Sequence, residues 1–297
     1  RTVMDKIFNG IGLMSGTSLD GLDIVNVRFI EKNGWKFEVI EALTVPYSDE
    51  WKSKLSTAEN LMGEELVLFD LALGKWMGKQ TGLFIKKNKL KPSFIASHGH
   101  TIFHQPKIKL THQIGNANYI HQQTELPVVY DFRSLDVVRG GQGAPLVPVG
   151  DHHLFAQYDA CLNLGGIANI SMIKNTMRVA FDIAPVNIPL NYIAQKLGKA
   201  YDDDGKFASN GEVNLPLFNK LNALNYYQQT GSKSLGKEWI VEHIYPLLKQ
   251  EELSPEDNLA TLTEHIAFQI ASVLPYGKVL VTGGGAYNTY LINSIIR

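Results

Sequence analysis

Residues 7–29 read I-F-N-G-I-G-L-M-S-G-T-S-L-D-G-L-D-I-V-N-V-R-F. Two apolar runs flank a turn made of Ser15, Gly16, Thr17, Ser18, Asp20 and Gly21, which predicts a strand, a tight turn and a second strand. Glycines let backbone N–H groups approach an anion with no Cβ in the way, and successive N–H groups form a nest for phosphate oxygens. The hydroxyls of Thr17 and Ser18 add donors. A carboxylate at Asp20 or Asp23 is the kind of group that holds a hydrated Mg²⁺ beside phosphate. The stretch therefore reads as a nucleotide-phosphate grip. A plain hairpin remains the alternative on these residues alone, because Gly, Ser and Asp are ordinary turn formers.

The rest of the chain bounds that reading. Its 297 residues suggest two domains, and their apolar and charged fractions are those of a globular protein with a sizeable core. A net charge of -1 gives no reason to expect a nucleic-acid or membrane surface. The single cysteine, Cys161, excludes a disulfide framework, and its apolar run A-C-L-N-L predicts a buried strand residue rather than a nucleophile. No leader pattern opens the chain and no apolar run is long enough to span a bilayer, so a cytoplasmic protein is expected.

The opening pattern returns at residues 159–173, D-A-C-L-N-L-G-G-I-A-N-I-S-M-I, where an apolar run, the turn Gly165-Gly166 and a second apolar run repeat the plan. Each hairpin is followed by a further strand candidate, residues 35–45 and 177–181. Each half then has a helical stretch and a short strand ending in a polar or glycine turn: residues 93–97 before His98-Gly99-His100, and residues 278–282 before Gly283, Gly284 and Gly285. Leu66, Phe69, Leu73, Trp76 and Phe84 recur at near-helical spacing. So do Leu259, Leu262, Ile266, Ile270 and Val273, after a Ser-Pro-Glu-Asp start at Ser254. The same order of elements with little identity suggests duplication of one α/β unit. The glycine- and proline-rich residues 139–148 read as the hinge. The expected domains are 1–140, with the first phosphate hairpin, and 141–297, with the second. A cleft between them would set both turns around one nucleotide. The first half continues with a helix near 116–123 and a strand at 127–132; the second has only the apolar residues 290–296, so a clipped C-terminal lobe is expected.

Three glycine turns, two hairpins and two α/β lobes resemble the sugar-kinase, heat-shock-chaperone and actin superfamily. Within it, six blocks resemble anhydro-N-acetylmuramic acid kinases, in family order over almost the whole chain: G-L-M-S-G-T-S-L-D-G at 12–21, S-H-G-H-T at 97–101, D-F-R-S-L-D at 131–136, G-G-Q-G-A-P-L-V-P at 140–148, L-N-L-G-G-I-A-N-I at 162–170 and G-G-G-A-Y-N at 283–288. The resemblance implies two duplicated ribonuclease-H-like lobes, the actin-like ATPase fold, with an interlobe cleft. It also implies an ATP-dependent conversion of 1,6-anhydro-N-acetylmuramic acid and water to N-acetylmuramic acid 6-phosphate in cell-wall recycling, with ATP and Mg²⁺ as cofactors. It suggests a homodimer, of which the sequence gives no independent sign.

The resemblance also assigns roles. The family's D-T-G-P-G-N block stands here as Asp182-Ile183-Ala184-Pro185-Val186-Asn187, which makes Asp182 the base that deprotonates the attacking water. Ile183, Ala184 and Val186 depart from the block and are expected to alter the pocket around the acyl or lactyl group. A strand-end or helix N-cap carboxylate is the alternative for Asp182. Gly16, Thr17, Ser18, Leu19, Asp20, Gly21, Leu22 and Asp23 are expected to wrap the ATP phosphates, with Asp20 as the Mg²⁺ carboxylate. Gly165 and Gly166 approach from the other lobe, and Gly283, Gly284 and Gly285 lie under the adenosine. His98, Arg133, Asp136 and Asn187 are expected at the sugar. Arg133 and Asp136 read equally well as a surface ion pair, and His98 as a residue that pins its turn. The family has Gln where His100 stands. Neither His98, His100 and His104 nor His152 and His153 have a zinc spacing, and Asp202, Asp203 and Asp204 before Gly205 lack the alternation of a calcium loop. Two rival functions stand beside the leading one: another kinase of the superfamily, and a nucleotide-binding protein without turnover.

Overall fold

The computed structural model describes residues 6–16, 19–231, 233–250 and 252–297, the side chain of Gln250 excepted. The chain divides into two compact units, Arg1–Leu146 and Val147–Arg297.

In the N-terminal unit β1 (Lys6–Ser15), β2 (Gly21–Glu31) and β3 (Trp35–Pro46) form an antiparallel meander. Helices α1 (Asp49–Ser56) and α2 (Gly63–Lys87) follow, then β4 (Phe94–Gln105) and β5 (Leu110–Ile114). Helix α3 (Ala117–Thr124), β6 (Val128–Tyr130) and α4 (Ser134–Val138) complete the unit. The sheet order is β3-β2-β1-β4-β5, with β6 also paired to β4. Inward residues at period two, Ile11 and Leu13 on β1 and Leu22 and Ile24 on β2, meet Phe69, Leu73, Met77 and Phe84 of α2. Leu66 and Trp76, expected on the same stripe, are partly buried against this core.

One expectation fails here in an informative way. The strand that was to end before His98-Gly99-His100 runs through it. β4 is parallel to β6 as far as Ser97 and to β1 as far as His100, with a register shift between Leu13 and Ser15, and from His100 onward it pairs antiparallel with β5. Gly99, at φ 73, makes the change of partner, with its α-carbon packed against the Ile114 carbonyl. Glycine marks a kink within a strand here, not the strand's end.

The C-terminal unit begins with α5 (Val147–Leu154), followed by β7 (Ala160–Leu164), β8 (Ile167–Lys174) and β9 (Met177–Pro185). Helices α6 (Asn187–Ala194), α7 (Leu215–Asn222), α8 (Asn225–Gln228), α9 (Lys237–Trp239) and α10 (Tyr245–Gln250) precede α11 (Pro255–Ala271). The short β10 (Val279–Thr282) and α12 (Thr289–Ile296) end the unit; α12 is the form taken by the apolar residues 290–296. The order β10-β7-β8-β9, antiparallel except for the β7–β10 pair, mirrors β4-β1-β2-β3. The fold is thus α/β with one ribonuclease-H-like strand order built twice. Cys161 is buried on β7, where burial raises its thiol pKa.

Helix α11 is the central strut of the second core. Ser254 caps it by accepting the Asp257 N–H, and Leu259, Leu262, Ile266 and Ile270 are all buried. It buries polar groups as well. His265 is 1% exposed and bridges Asn222 Oδ1 (2.9 Å from Nδ1) and the Tyr227 hydroxyl (3.0 Å from Nε2). An amide oxygen only accepts, so His265 carries its proton on Nδ1 and accepts the Tyr227 hydroxyl at Nε2.

Candidate functional site

The first glycine turn is held from three sides. Ser15, the last residue of β1, is 1% exposed, and its Oγ lies 2.7 Å from the Tyr47 hydroxyl and 2.8 Å from His100 Nδ1. The Tyr47 backbone N–H donates to the Asp20 carbonyl at 3.3 Å, so Tyr47 grips both ends of the turn. Burial lowers the pKa of His100 and raises that of Tyr47, which keeps both neutral at pH 7. Leu19 sits at φ 60 and donates to the Gly16 carbonyl. Gly21 lies so close to the Val45 carbonyl that a side chain would collide with it.

The expected phosphate residues divide by exposure. Leu22 is fully buried in the core and paired on both sides in the sheet, so it presents no surface to a ligand and is not part of a phosphate contact in this structure. Asp23 accepts the Thr44 hydroxyl at 2.6 Å, while no hydrogen bond or ion pair engages the exposed Asp20 carboxylate among the described residues. Of the two carboxylates expected at the phosphates, Asp20 is the less engaged. Thr17 and Ser18 lie outside the described residues. Sequence reading missed Tyr47 and the hydrogen bond of His100; the substitution of His for Gln in S-H-G-H-T was the available signal.

His98, Arg133 and Asp136 come together in the same unit as a chain of hydrogen bonds. His98 donates from Nδ1 to the Gly99 carbonyl at 2.9 Å and accepts at Nε2 from Arg133 Nε at 2.9 Å. Arg133 Nη1 donates to the Gly143 carbonyl (2.6 Å), and the Gly143 N–H donates to Asp136 Oδ2 (2.7 Å). Arg133 and Asp136 are joined through the backbone of Gly143 and do not form the surface ion pair considered above. Burial and the neighbouring guanidinium lower the His98 pKa, consistent with a neutral ring whose two nitrogens are both in use. His104 bonds Thr111 Oγ1, and the described residues contain no group of three or more His, Cys, Asp or Glu placed to hold a metal ion.

In the C-terminal unit the other expected residues assemble around Leu164. The Gly165 and Gly166 carbonyls accept N–H groups from residues 186–188, tying the β7–β8 turn to the start of α6. Asn187 Nδ2 donates to the Leu164 carbonyl at 3.1 Å. Gly283, at φ 83, packs on that same carbonyl, and a Cβ there would lie 2.8 Å from it. Gly285 packs on the Leu164 side chain, and Gly284 lies beside Asn187. Next to this cluster is a hollow of about 410 Å³ walled by Asn187, Leu190, Tyr201, Gly284, Gly285 and Tyr287, among others. Tyr201 and Tyr287 are exposed at its rim, where a flat ring can stack. The acidic run shapes the wall: Asp202 accepts the Phe207 and Ala208 N–H groups, and Asp204 accepts that of Thr289.

Asp182 lies inside β9, not at its end. Its N–H donates to the Lys233 carbonyl, its carbonyl accepts the Tyr226 hydroxyl (2.7 Å), and its Oδ2 accepts the Leu235 N–H (2.8 Å). The helix N-cap alternative does not hold, because α6 is capped by Val186 with no side-chain bond. Burial raises the Asp182 pKa, partly offset by the Leu235 N–H. Ile183, Ala184 and Val186, expected to alter the pocket around the acyl or lactyl group, are buried with the core of the unit, and Ile183 also stands in the wall of a hollow with Phe181 and Lys233.

Comparison with known proteins places this arrangement. The sequence model of a family described as anhydro-N-acetylmuramic acid kinase matches residues 9–297. An anhydro-N-acetylmuramic acid kinase of Pseudomonas syringae pv. syringae is 34% identical, over 96% of this chain and 82% of its own length. Those of Aliivibrio fischeri and Legionella pneumophila are each 33% identical, over 96% and 97% of this chain and 82% of their own lengths. Duplicated sheets, glycine turns at equivalent strand ends and similarity along nearly the whole chain agree: the chain belongs to the anhydro-N-acetylmuramic acid kinase family.

Proposed function

We propose that this chain is the ATP-dependent kinase that converts 1,6-anhydro-N-acetylmuramic acid and water to N-acetylmuramic acid 6-phosphate and ADP, serving cell-wall recycling. Water attacks the anomeric carbon, the bond from that carbon to O6 breaks, and O6 takes the γ-phosphoryl group. The phosphoryl group thus replaces the acid that protonates the leaving oxygen in ordinary glycoside cleavage. The water's proton passes to a carboxylate, which later releases it to solvent. Asp182 is that base. The observation that carries its role is a half-buried carboxylate with one oxygen anchored by the Leu235 N–H, fixed in aim and raised in pKa.

Phosphoryl transfer asks the protein mainly for positioning and charge neutralisation. The turn from Gly16 to Asp23 offers N–H groups to phosphate oxygens, stiffened by the Ser15–Tyr47–His100 network. Gly165 and Gly166 offer a second glycine turn, and the hollow beside Gly284 and Gly285 takes the adenosine. Mg²⁺ at Asp20 would neutralise phosphate charge. Arg133, half-buried and held by His98 and Gly143, is a fixed cation for the acceptor's carboxylate. A cytoplasmic location is part of this proposal, and use of ATP supports it. A homodimer is the assembly the family implies.

The test is turnover in ¹⁸O-water. Coupled opening places the label on the anomeric hydroxyl. A plain kinase forms ADP without that label, and a binding protein forms no ADP; either result refutes the proposal.

A further inference from the structure

A hollow of about 500 Å³ opens in the C-terminal unit where β9 meets α11. Met172 on β8, Val179, Phe181 and Ile183 on β9, and Val273 after α11 give it an apolar wall. Strand alternation puts Val179 and Phe181 on this face of β9. A register shift between Ala168 and Asn169 leaves Ile183 as an extra residue turned the same way. Asp182 stands between Phe181 and Ile183 in the chain and does not line the space, so the hollow lies apart from the proposed base.

The wall is braced before any ligand arrives. The Tyr227 hydroxyl is held by His265 Nε2 at 3.0 Å, and Gln269 Nε2 donates to Asn222 Oδ1 at 2.7 Å. The Lys233 carbonyl accepts the Asp182 N–H at 3.0 Å, which ties Lys233 to β9. Pockets that hold drug-sized ligands are of this order, roughly 300–1,000 Å³, and are largely pre-formed.

The charges at the hollow are of one sign. Among the described residues Lys174 and Lys233 line it, no aspartate or glutamate does, and no ion pair engages either lysine. Lys233 Nζ donates to the carbonyls of Tyr226 and Gln229, each at 3.2 Å, and lies 4.5 Å from the centroid of the Tyr226 ring. An ammonium has three N–H donors, so one is left for a ligand. Burial lowers the Lys233 pKa, the mark of an ammonium that has lost water without gaining a counter-ion. An apolar wall rimmed by such cations selects an anion that brings apolar surface with it.

We propose that this hollow is a second ligand site, for an amphipathic monoanion: a carboxylate or sulfonate at Lys174 and Lys233, with an aliphatic chain or aromatic ring against Phe181 and Val273. The site is independent of the kinase reading.

The probe is octanoate, with octanol as its uncharged counterpart and acetate as its head alone. Calorimetry on the full chain, with a non-hydrolysable ATP analogue present throughout, reads affinity. The methyl resonance of Met172, assigned with Met172→Leu, locates the binding. Octanoate should bind and shift that resonance, octanol should bind about tenfold more weakly, and acetate should not bind. Lys174 is exposed and its side chain makes no bond among the described residues, so Lys174→Glu tests the charge without disturbing the fold. It should weaken octanoate about fivefold, and Lys233→Met about tenfold. Equal affinities for octanoate and octanol, an unmoved Met172 methyl, or octanoate affinity unchanged in Lys174→Glu would each overturn the site. A loss confined to Lys233→Met and joined to a lower melting temperature also overturns it, as the structural effect of freeing two carbonyls.

Discussion

Acid should unfold the C-terminal unit through one residue. His265 is fully enclosed between α7, α8 and α11, and burial holds its pKa down at about 3. An unfolded histidine titrates near pH 6.5, so between these values the unfolded chain binds a proton that the folded chain refuses. A depressed base gives stability that is fully present above pH 6.5 and is lost as the pH falls towards 3. Between pH 8 and pH 5 the loss from this residue is about 2 kcal/mol. Other groups titrate in the same range. Lowered pKa values at His98, His100 and His104 add losses of the same sign, whereas the raised Asp182 favours the acid side. The difference between parent and variant isolates His265. In His265→Gln the amide keeps hydrogen-bonding capacity without a titrating proton. Urea denaturation followed by circular dichroism at pH 8 and pH 5 gives four unfolding free energies. The parent should lose about 2 kcal/mol more than the variant on acidification. Equal losses would refute the reasoning, since a histidine that opens to water and takes its proton in the folded state has no such linkage.

The remaining predictions concern the site. Asp182→Asn should keep nucleotide binding and cut turnover by about 10²–10⁴-fold, read by ADP release and by nucleotide titration; retention of most of the rate removes Asp182 from its role. The acid limb of kcat should lie above the ordinary carboxylate range, because burial raises the Asp182 pKa and only the ionised form takes the proton. Gly283→Ala forces a Cβ onto the Leu164 carbonyl at a positive φ. It should destabilise by more than about 1 kcal/mol in thermal melts and weaken nucleotide binding. Ser15→Ala breaks two buried hydrogen bonds at the end of β1 and should raise the KM for ATP more than that for the sugar; an unchanged KM for ATP would show that the turn needs no such brace.

What could be read in the sequence was what repeats and what punctuates. Alternation in residues 7–29 and 159–173 marked both meanders, because an apolar strand with one face on a core must show its period. The stripes of α2 and α11 showed for the same reason. Asp182 was legible only through the block it opens; by local pattern it looked like a cap. Contacts distant in sequence were not legible. Ser15 meets His100 across 85 positions and Asp182 meets Leu235 across 53. Nothing in either neighbourhood signals the pairing, since it is set by strand order. By local pattern His98-Gly99-His100 reads as a turn, because glycine weakens a strand interior, whereas the change of partner from β6 to β5 is a tertiary event.

The two copies of the fold have diverged where their fourth strands end, and that difference sets which groups each presents there. In the C-terminal unit β10 stops at Thr282, and Gly283 turns the chain at once against Leu164. Small residues and the Asn187 amide are thereby brought beside the β7–β8 turn, which gives a backbone-rich wall. In the N-terminal unit the equivalent strand β4 continues past Gly99 and recruits β5, which lifts α3 and the end of β6 around Ser97. The result is a wall that carries side-chain hydroxyls and carboxylates, among them Ser97, Asp131 and Ser134. Ile183, Ala184 and Val186 fit the same account. They depart from the family's loop, and on β9 and at the entry to α6 they pack into the core on either side of the backbone that carries Asp182 and Asn187.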